Sequence, residues 1–411
     1  MVEMDTLKFI HTADLHLDSP FKGLSYLPTK IFEKLKESTF VSFHKIINVA
    51  ILEHVDFILI AGDLFDDEYR SLKAQIAMRT EFERLEKEGI YVYIIHGNHD
   101  HLAGKWAQLN WPGNVYFFSS KVEVIRYVKN DTCLAHIYGF SYEQRAIIRN
   151  MTNDYKKEDG ALFHIGMLHG NLEGKEGHDH YAPFSIDQLI QKEFDYWALG
   201  HIHKQQVLCE KPAIIYPGNI QGRHKKETGE KGCYLIELSK NGTNQQFIPT
   251  DLVIWENILI SIDGISMLDE LLEKIKNVKE SYRLDKRSMI LTIELIGTSN
   301  LHNQLMEKSF IYEFVDTINA SEANEDVFIW ISDCKVNTNF AYDRDTLKND
   351  SHFISDLLNR IDEYSTHDLE LALSSLISNR KAAPFLNELN EDFQEIINNA
   401  EKLILRDLLK E

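Results

Sequence analysis

Short apolar runs alternate with longer amphipathic stretches along the first 250 residues. The apolar runs predict β-strands at 8–12, 57–61, 91–95, 134–140, 162–168, 196–199, 213–216 and 233–238. Between the early runs, residues 29–54 and 71–88 carry apolar positions at helical spacing and predict two helices. This alternation of strand, helix and strand is typical of an α/β domain. Few helices separate the later strands, which indicates a mixed sheet or a second sheet.

The pattern changes after Pro249. Strand, helix, strand, helix and strand are predicted in that order at 258–262, 267–278, 288–296, 302–317 and 327–331. From residue 345 onward, apolar residues recur every three or four positions, which predicts helices. We therefore expect an α/β domain at 1–250, a small α+β module at 251–340 and a helical tail at 341–411. The tail either closes a bundle within the chain or presents an amphipathic helix to a partner.

Composition limits the class of protein and its compartment. The 411 residues are 44% hydrophobic and 11% aromatic, which excludes disorder throughout. The four cysteines are widely scattered, a spacing that fits neither a disulfide framework nor a thiolate zinc site and suits a reducing cytoplasm. The apolar runs are much shorter than the roughly 20 residues that a spanning helix needs. The sequence therefore predicts a cytoplasmic protein without a membrane segment.

The formal net charge of −20 argues against binding of nucleic acid by the whole surface. Its distribution is uneven, with about −5 in residues 1–250 and about −15 in the remainder. A basic cluster stands out at Arg223, His224, Lys225 and Lys226. We expect Arg223 and His224 to contact the phosphate backbone of a substrate, with a solvated hairpin turn as the alternative for the cluster.

Polar motifs follow five of the predicted strands. They are Asp14-Leu15-His16, Gly62-Asp63, Gly97-Asn98-His99-Asp100, His169-Gly170 and Gly200-His201-Ile202-His203. Because strand ends in an open α/β sheet meet at one edge, these side chains are expected to lie close together. A single motif of this kind is common in turns and loops and does not by itself indicate a site. Five in order, each after an apolar run, indicate a site.

The ligand types in these motifs are carboxylates, imidazoles and one carboxamide. Such a set without thiolates suits a divalent ion such as Mn, with Fe or Zn as alternatives. The potential ligands outnumber the needs of one ion, and a carboxylate such as Asp63 can bridge two ions. A two-ion centre lowers the pKa of water and stabilises charge in phosphoryl transfer. His99 would then donate a proton to the leaving oxygen, with Asp100 orienting its ring.

The motifs DLH, GDLFD, GNHD, HG and GHIH resemble, in this order, the signature of the calcineurin-like metallophosphoesterases. The segments HTADLHLDSPF, YAPFS and YPGNIQGRH resemble the YhaO-like branch of DNA repair exonucleases, which is related to SbcD of the bacterial SbcC–SbcD complex. The general signature covers about residues 8–222. The resemblance implies two mixed β-sheets in a sandwich flanked by helices, an α/β fold, followed by a capping module and a helical tail.

The resemblance also implies a role for each motif residue. One ion would be held by Asp14, His16, Asp63 and His203. The second ion would be held by Asp63, Asn98, His169 and His201. His99 would act as the general acid, with Asp100 behind it. All the positions of the signature are present in this sequence.

Three functions follow as hypotheses. The first is a DNA exonuclease in DNA repair that works with an SbcC-like coiled-coil ATPase, as the resemblance implies, and it is compatible with a homodimer. The second is a phosphoesterase that acts on nucleotides or other small phosphorylated molecules. The third is a metal-containing interaction subunit with little activity of its own. The α+β module and the tail favour the first hypothesis, because a small-molecule enzyme has no evident need for them.

Overall fold

The computed structural model describes residues 6–66, 70–104, 107, 109–173, 181–349, 353–378 and 393–409. The strands are β1 (Thr6–Thr12), β2 (Phe57–Ala61), β3 (Tyr91–Ile95), β4 (Val115–Phe117), β5 (Glu123–Lys129), β6 (Thr132–Gly139), β7 (Phe163–His169), β8 (Tyr196–Gly200), β9 (Gln206–Glu210), β10 (Ala213–Tyr216), β11 (Gly232–Ser239), β12 (Gly242–Pro249), β13 (Val253–Ser261), β14 (Ser288–Ser299) and β15 (Ile329–Phe340). The helices are α1 (Thr29–Leu52), α2 (Leu72–Lys87), α3 (Ile186–Ile190), α4 (Leu268–Arg283), α5 (His302–Leu305), α6 (Lys308–Asn319), α7 (Arg344–Asn349), α8 (Phe353–Asp362), α9 (Thr366–Ile377) and α10 (Phe393–Leu408).

Two six-stranded mixed sheets dominate the first part of the chain. Their strand orders are β12-β11-β1-β2-β3-β4 and β5-β6-β7-β8-β10-β9. In the first sheet β1, β2, β3 and β4 are parallel, while β11 pairs with β1 antiparallel. In the second sheet β6, β7, β8 and β10 are parallel. The expected fold of two mixed sheets with flanking helices is confirmed.

The main core lies between these two sheets and follows from the alternation of side chains along each strand. Phe9 and Phe57 from the first sheet belong to the same buried cluster as Ile137 and Ile165 from the second. Ile58 and its neighbours on the opposite face pack instead against α1 and α2. Strands such as β2 are therefore buried on both faces, which explains their uninterrupted apolar sequence.

The second half of the chain contains a three-stranded sheet of order β13-β14-β15. The chain divides into two compact units, and the division passes through all three strands: one unit holds residues 1–257, 280–292 and 319–330 and the other holds the remainder. The single helix expected at 302–317 is two helices, α5 and α6. Glu307 lies between them, and its carbonyl accepts the N–H of Ile311 at the start of α6. The three-part division expected from the sequence stays a prediction.

Helices α7, α8 and α10 pack against one another within the second unit. Leu358 and Leu405 are fully buried, and Arg344 Nε donates to Glu401 Oε1 at 2.9 Å. Phe353 and Leu403 on the same helices are more than half exposed. The described part of the predicted tail thus closes on itself and still presents apolar side chains to solvent; the rest of the tail lies outside the described residues.

Two further expectations concern membrane and redox chemistry. Among the described residues, no helix has both the length and the apolar character needed to cross a bilayer. All four cysteines are free thiols. Burial raises the pKa of the Cys233 thiol to about 12, so this thiol stays protonated and inert near neutral pH.

A buried carboxylate, Asp251, lies between β12 and β13 and predicts a pH-dependent stability. Neither of its carboxylate oxygens has a hydrogen-bond partner among the described residues, and Arg287 NH1 is 3.9 Å from Oδ1. Burial raises the pKa of Asp251 to about 7. The stabilising contribution of the protonated form is therefore complete below the unfolded pKa and is lost as pH rises through about 7.

We expect Asp251→Asn to raise the free energy of unfolding relative to the unchanged protein at pH 8, by on the order of 2–4 kcal/mol, because it removes a buried charge whose burial outweighs its distant contact with Arg287. At pH 4 the two proteins are expected to differ far less. Thermal unfolding followed at both pH values measures the difference. Asp131→Asn, in an exposed turn, is the matched control. A gain at pH 8 no larger than that at pH 4 would contradict the assignment.

Candidate metal centre

The ends of five strands bring the predicted ligands together. Asp14 follows β1, Asp63 follows β2 and Asn98 follows β3, while His169 ends β7 and His201 follows β8. Two groups of ligand atoms each lie within 4.8 Å of one another. They are Asp14, His16 and His203, and Asp14, Asp63 and His169. The carboxyl ends of the inner strands of both sheets therefore converge on one cluster.

The backbone at these positions is strained. Asp14, His16, Asp63 and His201 have positive φ values of 51°, 43°, 54° and 100°. Residues other than glycine adopt this region at a cost of roughly 1–3 kcal/mol, and such strain is concentrated at functional sites. The strand-end loops lock the conformation, because Asp14 N–H donates to Gly62 O and His16 N–H donates to Asp63 O, both at 3.0 Å.

Close packing around the cluster requires a glycine at position 97. A Cβ there would collide with the Asp63 carboxylate and would lie 2.7 Å from His169 Nε2. The glycine therefore lets the β3 loop approach the two ligands directly. This is the physical reason for the G of the GNHD motif.

The first group centres on two imidazoles that face each other. His16 Nε2 is 3.2 Å from His203 Nε2 and 3.9 Å from Asp63 Oδ2. Burial, with the nearby Arg223 charge, lowers the pKa of His16 to about 3, so its ring is neutral near pH 7. A neutral imidazole has a free electron pair, which is the form that binds a metal ion.

Asn98 and His201 lie beside the second group. Asn98 Oδ1 lies 3.0 Å from His169 Nε2 and 3.2 Å from His201 Nδ1, and His169 Nε2 is 3.5 Å from Asp63 Oδ2. His169 Nδ1 donates to Ala61 O at 2.9 Å, which directs Nε2 toward the other ligands. The seven predicted ligands are thus all brought together, while their division between two ions stays a prediction.

The charges in the cluster are buried and mutually dependent. Burial raises the pKa of the Asp14 carboxyl to about 6. For His169, burial lowers the pKa, but the Asp63 and Asp14 carboxylates outweigh it and raise the pKa to about 9. For Asp63, burial raises the pKa, yet the imidazoles of His169 and His16 hold it well below its usual range. Carboxylates, imidazole nitrogens and a carboxamide oxygen are common ligands of divalent cations. A bound cation would stabilise the carboxylates more strongly than the imidazoles do.

His99 lies beside the cluster at the edge of a cleft. Its backbone N–H donates to Asp63 Oδ1 at 2.9 Å, and its ring meets the His16 ring edge-on at 5.3 Å between centroids. Its Nδ1 is 3.2 Å from the backbone carbonyl of Asp66, which fixes the ring.

The expected contact between Asp100 and the His99 ring is absent among the described residues. Asp100 accepts instead from the backbone N–H groups of Gly97 and Leu64, at 2.6 and 3.0 Å, and lies 3.2 Å from His96 Nδ1. The reason is geometric: the carboxylate turns back into the GNHD loop and is fully buried there. Asp100 therefore shapes the loop that carries Asn98 and His99, and the Asp66 carbonyl orients His99.

The cleft has a volume of about 460 Å³. Its lining includes His99, both predicted substrate contacts, Arg223 and His224, and two basic residues that the sequence did not single out, Lys22 and Arg145. Lys22 and Arg145 are exposed and have no hydrogen-bonding or ion-pairing partner among the described residues. They are therefore available to a ligand.

Arg223 lines the cleft but is engaged with carboxylates, and its expected role as a phosphate contact stays a prediction. Its side chain is 14% exposed, its NH1 bonds to Asp66 Oδ1, and its NH2 is 3.8 Å from Glu227 Oε1. The guanidinium is thus already paired with carboxylates. His224 stays open to solvent, with its side chain 55% exposed and Nε2 3.4 Å from Glu227 Oε1.

Asp66 and Glu227 contact two of the predicted ligands, and the sequence patterns did not single them out. Glu227 accepts from His203 Nδ1 at 2.7 Å, and Asp66 Oδ1 is 3.1 Å from His16 Nδ1. The GDLFD motif contained a signal for Asp66, since its second aspartate follows a ligand by three residues. Glu227 is an acidic residue directly after a basic run, and this local pattern does not predict a contact with a metal ligand.

Comparison with known proteins shows the family of this chain. A model of the calcineurin-like phosphoesterase family matches residues 7–205, and a model of the middle domain of metallophosphoesterase YhaO matches residues 255–339. The uncharacterized metallophosphoesterase YhaO of Bacillus subtilis is 47% identical over 326 residues, which are 79% of this chain and 80% of that protein.

More distant relatives carry nuclease or repair names. The DNA double-strand break repair protein Mre11 of Sulfurisphaera tokodaii is 26% identical over 324 residues, covering 74% of this chain and 77% of that protein. The SbcD component of nuclease SbcCD from Staphylococcus saprophyticus is 26% identical over 274 residues, covering 59% of this chain and 69% of that protein.

Proposed function

This chain belongs to the YhaO family of calcineurin-like metallophosphoesterases, and from that premise we propose that it is a two-metal phosphodiesterase acting as a DNA exonuclease in DNA repair. The observation that carries the proposal is the convergence of the seven predicted ligands beside a cleft that contains two basic side chains without a partner among the described residues. The names of two relatives, a double-strand break repair protein and a component of a nuclease, support the choice of DNA.

The ligand cluster provides the first requirement of such a reaction. Its seven members would hold two divalent ions, and the absence of a thiolate among them favours manganese, with iron or zinc as alternatives. When bound, the ions lower the pKa of water and neutralise charge on the phosphoryl group. The strained, buried loops keep the donors in place before substrate arrives, so little reorganisation is needed.

His99 provides the second requirement, a proton for the leaving oxygen. The ring lies in the cleft lining next to Asn98. The Asp66 carbonyl accepts from Nδ1, which leaves Nε2 as the atom that faces the reaction. An imidazole suits this task because its ordinary pKa lies close to neutral pH.

Lys22 and Arg145 provide the third requirement, recognition of a chain of phosphates. A small phosphoester needs contacts at one phosphorus only, and the ions supply them. The two cations, which have no partner among the described residues, would meet phosphates on either side of the scissile bond, as in a polynucleotide. Because such contacts release counterions, binding of DNA is expected to weaken steeply with salt.

The direct test offers the manganese-loaded protein linear DNA and bis-p-nitrophenyl phosphate separately. We expect cleavage of both, and we expect Lys22→Ala with Arg145→Ala to raise KM for DNA about tenfold or more and to reduce the salt slope by about 2. Hydrolysis of the small ester is expected to stay within about twofold, since neither side chain touches the ligand cluster among the described residues. Arg126→Ala, on the exposed face of β5, is the matched control.

Two outcomes would overturn different parts of the proposal. Hydrolysis of the small ester without any degradation of DNA, with or without an ATPase partner, would leave a phosphoesterase of small phosphorylated molecules. Failure to cleave either substrate in the presence of metal would remove the phosphodiesterase itself and favour an interaction subunit.

We also propose that the protein works in the cytoplasm with a coiled-coil ATPase of the SbcC type. The name of one relative, a component of a nuclease with more than one chain, supports a partner. The acidic second part of the chain and exposed side chains such as Phe353 and Leu403 suit contact with protein better than contact with DNA. The four free thiols suit a reducing compartment.

A further inference from the structure

Two candidate metal ligands share an arrangement on the side of the ring that points away from the cluster. His16 and His203 approach each other through Nε2, and each presents Nδ1 to a carboxylate. Glu227 Oε1 is 2.7 Å from His203 Nδ1, and Asp66 Oδ1 is 3.1 Å from His16 Nδ1. The hydrogen bond to Glu227 fixes the His203 imidazole and keeps its proton on the nitrogen that faces away from the ion, whereas Asp66 lies close to His16 Nδ1 without hydrogen-bond geometry.

Each carboxylate is itself held by several donors. Asp66 Oδ2 accepts from the Ser19 hydroxyl at 3.1 Å. Glu227 Oε2 accepts from Asn219 Nδ2 at 2.9 Å and from the backbone N–H of Arg223 at 2.7 Å. Each carboxylate is thus held in place by groups other than the imidazole that it faces.

The Arg223 side chain connects the two carboxylates. NH1 bonds to Asp66 Oδ1, and NH2 lies 3.8 Å from Glu227 Oε1 and 3.5 Å from His203 Nδ1. Asp66 follows β2, whereas Glu227 precedes β11, so the guanidinium joins loops from distant parts of the chain. A planar fork with five donors can serve two carboxylates at once, and an ammonium group cannot do so with the same geometry.

We propose that Arg223 is a positioning residue that ties Asp66 to Glu227 and thereby sets the affinity for the metal ion on the His16–His203 side. The inference rests on the proposed two-metal function and deepens it by assigning control of one of the two ions. The alternative is the role of Arg223 as a phosphate contact, which the sequence predicts. A phosphate contact would act on substrate binding, whereas this tie acts on metal binding before any substrate is present.

The test measures binding of Mn²⁺ to the metal-free protein by calorimetry, with bound metal counted by mass spectrometry. The unchanged protein is expected to bind two ions. Arg223→Met and Arg223→Lys are expected to lower the affinity for one ion by about 10–100-fold, which is the usual effect of losing a residue that contacts a metal ligand. The affinity for the other ion is expected to change by less than about twofold. Arg126→Met, on the exposed face of β5 and outside these contacts, is the matched control and is expected to leave both affinities unchanged.

A second variant shows whether the residues act as one unit. Glu227→Gln keeps the size of the side chain and removes the charge, and it is expected to weaken the same ion. The double variant with Arg223→Met is expected to lose less free energy of Mn²⁺ binding than the sum of the losses in the two single variants, because each single change already breaks the same connection. Thermal unfolding of the metal-free variants checks that they fold, and Glu227→Gln continues the test if Arg223→Met does not.

The possible results separate the inference from the proposed function. A failure of the unchanged protein to bind two ions would overturn the two-metal function. Two ions bound with unchanged affinity in folded Arg223 variants would overturn the positioning role alone. Equal weakening of both ions would overturn the assignment to the His16–His203 side, and a raised KM for DNA with unchanged metal affinity would restore Arg223 as a substrate contact.

Discussion

Replacing His99 by alanine is expected to lower turnover on DNA by about 100-fold or more while two metal ions stay bound. The link between His99 and the ligand cluster is its backbone N–H, which donates to Asp63 Oδ1 and survives the substitution. The imidazole itself contacts the Asp66 carbonyl and the edge of the His16 ring. Removing the ring therefore takes away a proton donor and leaves the predicted ligands of both ions in place.

The leaving group distinguishes proton transfer from other roles of His99. An alkoxide leaving from DNA needs a proton in the transition state, whereas a nitrophenolate leaves almost unaided. The loss in His99→Ala is thus expected to be much smaller for bis-p-nitrophenyl phosphate than for DNA. His44→Ala, which removes a half-exposed histidine of α1, is the control. Equal losses on both substrates, or loss of metal, would contradict the role of general acid.

The strands of the fold were predictable to the extent that they are buried on both faces. The runs at 57–61, 91–95 and 213–216 match β2, β3 and β10 residue for residue. Each lies inside a sheet, where neither face meets water and the sequence is continuously apolar.

The four strands that the apolar pattern missed share one property. They are β4, β5, β9 and β12, the edges of the two six-stranded sheets. An edge strand has a solvated side and carries polar or charged residues, as β12 does with the sequence GTNQQFIP. Their pairing is decided by a neighbour elsewhere in the chain, so the local pattern contains little sign of them.

The candidate site shows the same division between local and distant information. The ligands themselves follow strand ends within short motifs, and the parallel order of strands explains why they converge. The carboxylates behind them depend on the third dimension, because Glu227 meets His203 across a separation of 24 residues. Asp100 illustrates the opposite error: adjacency to His99 in sequence indicated a contact, and the turn of the loop directs the carboxylate to Gly97 and Leu64.

Asp63→Asn is expected to have the largest effect on the metal centre. Asp63 is 1% exposed and stands between the two groups of ligands, with Oδ2 3.5 Å from His169 Nε2 and 3.9 Å from His16 Nε2. A carboxamide of the same size has lost the negative charge that would balance two divalent ions and can offer them only one weak oxygen donor. Loss of an outer partner costs roughly 10–100-fold in metal affinity, so loss of a shared ligand is expected to exceed that range for both ions.

Metal content and reactivation measure this expectation together. After chelation, added Mn²⁺ is expected to restore two ions and full activity to the unchanged protein, while Asp63→Asn keeps at most one ion and loses about 1,000-fold or more in turnover. Asp18→Asn, a change of the same type in the loop after β1, is the matched control, since its carboxylate has no hydrogen-bonding or ion-pairing partner among the described residues. Two ions bound with normal affinity in Asp63→Asn would mean that Asp63 does not bridge them. The two ions would then occupy separate sites, formed by Asp14 and the other predicted ligands.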